Sequence, residues 1–217
     1  MKQLIRVLLW FTIGLTTVHA EQKGIPDYNT ARRILWSKVY KNGGETLYCA
    51  RTFGSRKGRG INVEHILPMS WATKALRCGT RKQCRRRSTT FNRLEADLHN
   101  LFPALTGIND ARSSFRFGEV RGEPRRYGKC DFEVDFKRRV AEPRPAIRGE
   151  IARAMFYMQD EYGVKIYAKT VKKLVKWHRQ DPPGRPEQLR NDTIEILQGT
   201  RNKYIDNPEL VESIRFR

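Results

Sequence analysis

Acidic residues are scarce in this 217-residue chain: 23 Asp and Glu face 43 Lys and Arg, a formal charge of +20. Cysteine and histidine are limited to four each, with no C-x-x-C pair and no finger spacing among the histidines, which argues against a structural zinc site. Internal repeats and low-complexity tracts are missing, so solenoid and linker-like organisations are excluded. Beyond the first twenty residues, no apolar run approaches the ~20 residues needed to cross a bilayer. What is present is enough for a core. Hydrophobic residues make up 39% and aromatics 10% of the chain, too many for a disordered basic tail. The length fits one domain.

The N-terminus reads differently from the rest. Lys2 and Arg6 make a basic start, Val7 to Val18 is mostly apolar, and Val18-His19-Ala20 resembles a small-residue cleavage site. Residues 1–20 are expected to be a secretory signal peptide and 21–217 a single domain. An uncleaved anchor is the alternative, disfavoured because the apolar run is short. Cleavage removes two positive charges, leaving a strongly basic chain that is secreted or periplasmic, with no stable membrane insertion. In that setting the four cysteines are expected to form two disulfides. Three pairings are possible; the short intervening loop favours Cys78 with Cys84, leaving Cys49 with Cys130.

Patterning along the chain is mostly helical. Thr30 to Lys41 has apolar residues at helical spacing, with Thr30 as an N-cap and Asn42-Gly43-Gly44 as a stop. Short strands are expected at Thr46 to Cys49, at Ile61 to His65, and at Cys130 to Arg139 with Phe132, Val134 and Phe136 on one face. Leu94 to Asp110, which includes Pro103, is expected to be a helix or turn and then a helix from about Thr106. The last third predicts helices over Gly149 to Tyr162, Thr170 to Arg179 and Pro186 to Gln198, the last capped by Gly199, with Asn207-Pro208 opening a short final one. The class is α+β, predominantly helical, with a small antiparallel β element surrounded by helices.

From His65 to Leu94 there is no acid at all, against eight cations: Lys74, Arg77, Arg81, Lys82, Arg85, Arg86, Arg87 and Arg93. Self-repulsion of that kind is relieved by an anionic partner. Charge alone does not choose among nucleic acid, anionic lipid and acidic polysaccharide. The amphipathic helices look like core packers, which speaks against a membrane-active protein. A catalytic constellation beside the basic run speaks against simple binding. Glu64 and His65 set a carboxylate next to an imidazole, although neighbours on a strand face opposite sides, so a shared site requires the backbone to bend there. Glu95, Asp97, His99 and Asn100 follow, then Asn109, Asp110 and Arg112. Phosphodiester hydrolysis needs an activated water, neutralisation of the five-coordinate phosphorus and stabilisation of the departing oxygen. An imidazole, a divalent metal on oxygen ligands and a guanidinium supply these.

Asn62-Val63-Glu64-His65 with Pro68 and Ser70-Trp71, Gly79-x-Arg81-x-x-Cys84, Phe91-Asn92-x-x-Glu95-Ala96-Asp97-Leu98-His99-Asn100-Leu101 and Asn109-x-x-Arg112-Ser113 together resemble the bacterial endonuclease I family. Tyr127-Gly128-x-Cys130, Arg148-Gly149-x-Ile151-Ala152-Arg153 and Gln198-Gly199 extend the likeness over nearly all of the chain. The resemblance implies a ββα-metal core and a secreted, sequence-independent endonuclease acting on DNA and RNA and leaving 5′-phosphate ends. It implies Glu64 and Asn109 as protein ligands of one Mg²⁺, for which Mn²⁺ or Ca²⁺ can substitute, His65 as general base and Arg81 as the phosphate-contacting arginine. Glu95 and His99 are expected to support the site. Arg85 and Arg112 are candidates for phosphate binding, with an internal ion pair the alternative for Arg112. The Arg85-Arg86-Arg87 run departs from the family pattern. The chain is expected to act as a monomer; the alternative function is a non-catalytic polyanion binder on the same fold.

Overall fold

The computed structural model describes residues 22, 24–122 and 125–214; the expected signal peptide lies outside them. Helix α1 (Tyr28–Ile34) continues through a π-turn (Leu35–Val39). Its N-cap is Asp27, not Thr30: the Asp27 carboxylate accepts the backbone N–H groups of Asn29 and Thr30 at 2.9 and 3.1 Å. Strands β1 (Gly44–Glu45) and β2 (Thr52–Phe53) pair antiparallel. The expected strand at Thr46 to Cys49 is instead the turn between them, closed by Ala50 N–H on Thr46 O at 2.9 Å. Leu47 and Tyr48 turn inward there.

The centre of the molecule is a ββα unit. Strand β3 (Ile61–His65) pairs antiparallel with β4 (Leu101–Leu105), in a register that sets Glu64 opposite Phe102 and His65 opposite Leu101. Helix α5 (Thr106–Arg112) follows β4 without a loop. Where sequence patterning predicts a helix or turn around Pro103, the chain forms β4. In this two-stranded sheet Pro103 sits opposite Val63, and its carbonyl accepts Leu47 N–H at 2.8 Å from outside the pair. The N–H that proline lacks would point the same way, so its absence removes nothing from the ladder.

Three short helices separate the two strands: α2 (Met69–Ala75), α3 (Arg81–Arg87) and α4 (Thr89–Glu95). The first of these starts after Pro68, whose fixed φ suits a helix entrance. Thr80 and Gln83 form a reciprocal capping box at the start of α3. A second sheet holds β5 (Arg116–Phe117), β6 (Phe132–Asp135) and β7 (Val140–Pro143) in the order β5-β7-β6, with β5 parallel and β6 antiparallel to β7. Phe136 falls beyond β6, half-exposed, with its ring edge-on to Phe115.

Helix α6 (Arg148–Tyr162) is the hub, buried on nearly every side from Gly149 to Met158. Against it pack α7 (Ala168–Gln180), carrying the fully buried Trp177, and α9 (Lys203–Asp206), while α8 (Arg185–Gln198) is tied to it by the Arg153–Glu187 ion pair at 2.5 Å. A Cβ on Gly149 would lie 1.8 Å from Asp181 O, so only glycine lets the start of α6 meet the end of α7. Gly199 closes α8 in the left-handed region at φ 79°, as expected. Asn207 and Pro208 cap and open a short final helix, as expected, and it is of the 3-10 type (Pro208–Ser213). The disulfides are Cys49–Cys130 and Cys78–Cys84. The first ties the β1–β2 turn to the second sheet, and the second clasps the loop between α2 and α3. Among the described residues no helix is long and apolar enough to cross a membrane.

Candidate active site

Glu64 and His65 close β3. Neighbours on a pleated strand point to opposite sides, and the chain bends directly after His65, at Ile66 and Leu67, as the sequence suggests. Both border one cavity of about 570 Å³, together with Arg81, Asn109 and Arg112. The cavity lies at the mouth of the ββα unit, where β3 stops and α3 and α5 converge.

His65 Nε2 lies 3.0 Å from the backbone oxygen of Glu95. A carbonyl can only accept, so Nε2 carries the proton and Nδ1 of the neutral ring keeps its lone pair. Burial, then the positive charge of Arg81, pulls the imidazole pKa down to about 4, so the ring is neutral at pH 7. The ring stacks obliquely near Tyr28 at 5.1 Å.

Glu64 is buried on the other side. Its Oε1 accepts the Tyr48 hydroxyl at 2.6 Å and meets Arg112 Nη1 at 2.9 Å. Burial pushes this carboxyl up, against the opposing pull of Arg112 and Tyr48. Arg112 is itself 1% exposed: Nη1 also donates to His65 O at 2.9 Å and Nη2 to Ile66 O at 2.5 Å. Its guanidinium therefore serves an internal ion pair and the backbone at the end of β3, the second of the two roles expected for it. A phosphate contact would require that buried fork to be released.

Asn109 projects from α5, its Nδ2 donating to Asn62 Oδ1 at 2.8 Å and to Val63 O at 3.2 Å. Both partners are acceptors, which fixes the amide orientation and turns Oδ1 away from them. The donor set is thus one carboxylate and one amide oxygen beside a common cavity. Such hard, oxygen-only ligation with open positions suits Mg²⁺ and related ions, which keep several waters. These residues fit the metal that the sequence resemblance implies.

Glu95, at the end of α4, joins His65 to the arginines. Its backbone takes His65 Nε2, while its carboxylate takes Arg81 Nε through Oε1 and Arg85 through Nε at 2.7 Å and Nη2 at 2.8 Å. Burial pushes the Glu95 carboxyl up, but hydrogen bonds and charge from Arg85 and Arg81 outweigh it and hold the pKa below the usual value. Both guanidinium groups lie near the Tyr28 ring, at 5.5 and 5.7 Å, and both side chains remain 44% exposed. They are aimed and still accessible.

The family model for endonuclease I matches residues 14–209. The chain belongs to the endonuclease I family. It is 36% identical to an extracellular deoxyribonuclease of Aeromonas hydrophila, over 88% of this chain and 93% of that one. Identity to a periplasmic deoxyribonuclease of the same organism is 42%, over 73% and 68%. An extracellular ribonuclease of Bacillus amyloliquefaciens is 32% identical over 54% and 46%. The secreted or periplasmic placement expected from the sequence agrees with these relatives.

In this endonuclease I chain His99 stands apart from the cavity. Its Nε2 lies 3.1 Å from Thr200 O and its ring is edge-on to Tyr157. It belongs to a network around the fully buried Asp97, which accepts from Gln198, Tyr157, Tyr162 and the His99 backbone. That network joins the α4–β4 connection to α6 and α8. Nearby, Asn100 clamps the segment after His65 by bonding both Leu67 N, at 2.7 Å, and Leu67 O, at 3.2 Å. Sequence reasoning passed over Tyr48, Tyr28 and the orienting role of Asn62. Asn62 stands within the Glu-His motif, and Tyr48 adjoins Cys49, whose disulfide fixes its position. No local signal marks Tyr28.

Proposed function

We propose that this protein is a secreted, metal-dependent endonuclease that hydrolyses DNA and RNA without sequence preference. The observation that carries the reading is the single cavity bordered by Glu64, Asn109, His65 and Arg81, set in a strongly basic chain. Glu64 and Asn109 would hold one divalent ion, Mg²⁺ by preference and Mn²⁺ or Ca²⁺ as substitutes. When bound, it supplies charge neutralisation at the phosphate and the departing oxygen. His65 Nδ1 takes a proton from water, and the oxygen attacks phosphorus. Cleavage of the bond to the 3′ oxygen then leaves a 5′-phosphate and a 3′-hydroxyl. Arg81 pairs with phosphate oxygens as charge builds up on them. Phosphate contacts without base readout give sequence independence. The ribonuclease named among the relatives supports RNA as a second substrate.

The test is digestion of supercoiled plasmid and of RNA by the purified mature chain, with Mg²⁺ and with EDTA, beside His65→Ala. Nicking that EDTA abolishes is expected. The variant should lose at least a hundredfold in turnover, the scale of general-base catalysis, with affinity for DNA nearly intact. Retardation of the plasmid in a gel with no cleavage under any condition would instead support a non-catalytic binder.

A further inference from the structure

A second cavity, of about 640 Å³, lies on the other flank of α2, between that helix and the connection from α6 to α7. Its lining includes the cations Lys74, Arg77 and Lys165 and no acid, with Trp71 and Tyr167 as its aromatics. Tyr167 is 69% exposed, the most solvent-accessible aromatic side chain among the described residues, and meets Trp71 edge-on at 5.7 Å. The connection is ordered by alternation: Val164 and Ile166 are buried, Lys165 and Tyr167 face out, and Gln159 Oε1 holds Ile166 N at 2.9 Å. Tyr167 is therefore displayed from a fixed segment.

This groove neighbours the catalytic cavity across α2. Ser70 and Thr73 of α2 border the catalytic cavity, whereas Trp71 and Lys74 of the same helix border the groove. Trp71 Nε1 donates at 3.2 Å to the carbonyl of Ser114, which also borders the catalytic cavity. The two spaces are thus separated by one helix, a body about 10 Å across, or about three nucleotides at the ~3.4 Å rise of a stacked strand.

We propose that this groove is a subsite for an unpaired stretch of the nucleic-acid substrate, with a base stacked on Tyr167 and its phosphates held by Lys74, Arg77 and Lys165. Aromatics interleaved with cations are what a single strand needs, because every base offers a π-face and every linkage a charge. A continuous duplex keeps its base faces internally stacked and gains only the electrostatic part. The proposal rests on the nuclease reading and names the strand form that its site prefers.

Binding is measured in the His65→Ala background, so that turnover does not intrude, by fluorescence anisotropy of labelled oligothymidylate and of a blunt duplex. Tyr167→Ala should weaken oligothymidylate binding about tenfold, leave duplex binding within about twofold, and be rescued by Tyr167→Trp. Lys165→Ala should lower the salt slope for the single strand by about 0.7, one phosphate contact. Equal losses on both ligands, or no loss on the single strand, would overturn the subsite. Plasmid nicking by the chain with His65 intact is scored separately: if it is absent the nuclease reading fails, whereas the ratio of single-strand to duplex binding judges the groove.

Discussion

Glu95 performs two tasks with different atoms, and substitution can separate them. Its carbonyl orients His65, and its carboxylate gathers Arg81 and Arg85. Glu95→Gln keeps the carbonyl and the shape but removes the charge that holds the arginines. We expect kcat on plasmid DNA to fall about tenfold or more while affinity holds or rises, because the arginines lose their internal counterion. A parallel loss of affinity and turnover would show that Glu95 acts only by supporting the fold. Arg112 takes the ion-pair role of the two that the sequence allows, meeting Glu64 at 2.9 Å. A guanidinium at 1% exposure is more valuable for compensating a buried carboxylate than for meeting substrate, since an uncompensated buried charge is costly.

Among the elements, the two disulfides differ in what they hold. Cys49–Cys130 spans 81 residues and Cys78–Cys84 spans 6. The loop-entropy relation gives about 4.5 kcal/mol for the first and about 2 kcal/mol for the second. Paired Cys→Ser replacement at Cys49 and Cys130 should therefore cost about twice as much stability in urea unfolding. Replacement at Cys78 and Cys84 should instead fall mainly on turnover, because that clasp fixes the start of α3, where Arg81 sits. Unchanged activity after its removal would mean that the capping box alone positions α3. Tyr48 gives the longer bridge a functional side as well, since the residue beside Cys49 donates to Glu64.

For the molecule as a whole, the cationic segment and the buried titrating groups set the response to solution conditions. Seven of the eight cations between His65 and Leu94 are exposed. If about four of them meet phosphates, log K for duplex binding should fall with log salt at a slope of about −4; a slope near zero would remove electrostatics as the basis of binding. Two groups pull stability in opposite directions with pH. Burial holds His99 down at about 4, so the unfolded chain takes up the proton first and stability falls as pH drops from 6.5 towards 4. Burial and then the negative charge of Glu187 push Glu150 up to about 7. The native state keeps that proton longer, and stability falls as pH rises from 4.5 towards 7. Glu150→Gln should accordingly raise Tm at pH 8 and leave it nearly unchanged at pH 4.5; the reverse order would contradict a carboxyl whose pKa is raised in the folded chain.

Much of this architecture is written locally. Helical spacing with Gly199 as a stop locates α6 to α8, β-branched residues locate β3, and the acid-free run with Glu64-His65 locates the candidate site. These features depend on neighbours within a turn or a strand, so pattern is sufficient. Other features exist only across distance. β4 looks unlike a strand because Pro103 is tolerable solely at an edge whose outward carbonyl finds Leu47. The Thr46 to Cys49 turn is anchored to a distant segment, since Cys49 is bonded to Cys130. Arg81 and Arg85 converge on Glu95, Asn109 is turned by Asn62, and Tyr28 meets His65 through contacts between residues 10 to 47 positions apart. The sequence by itself determined which groups are available and which segments carry them; the tertiary structure alone decided which charges compensate one another inside and which remain open to a phosphate, because burial and pairing are properties of the packed chain.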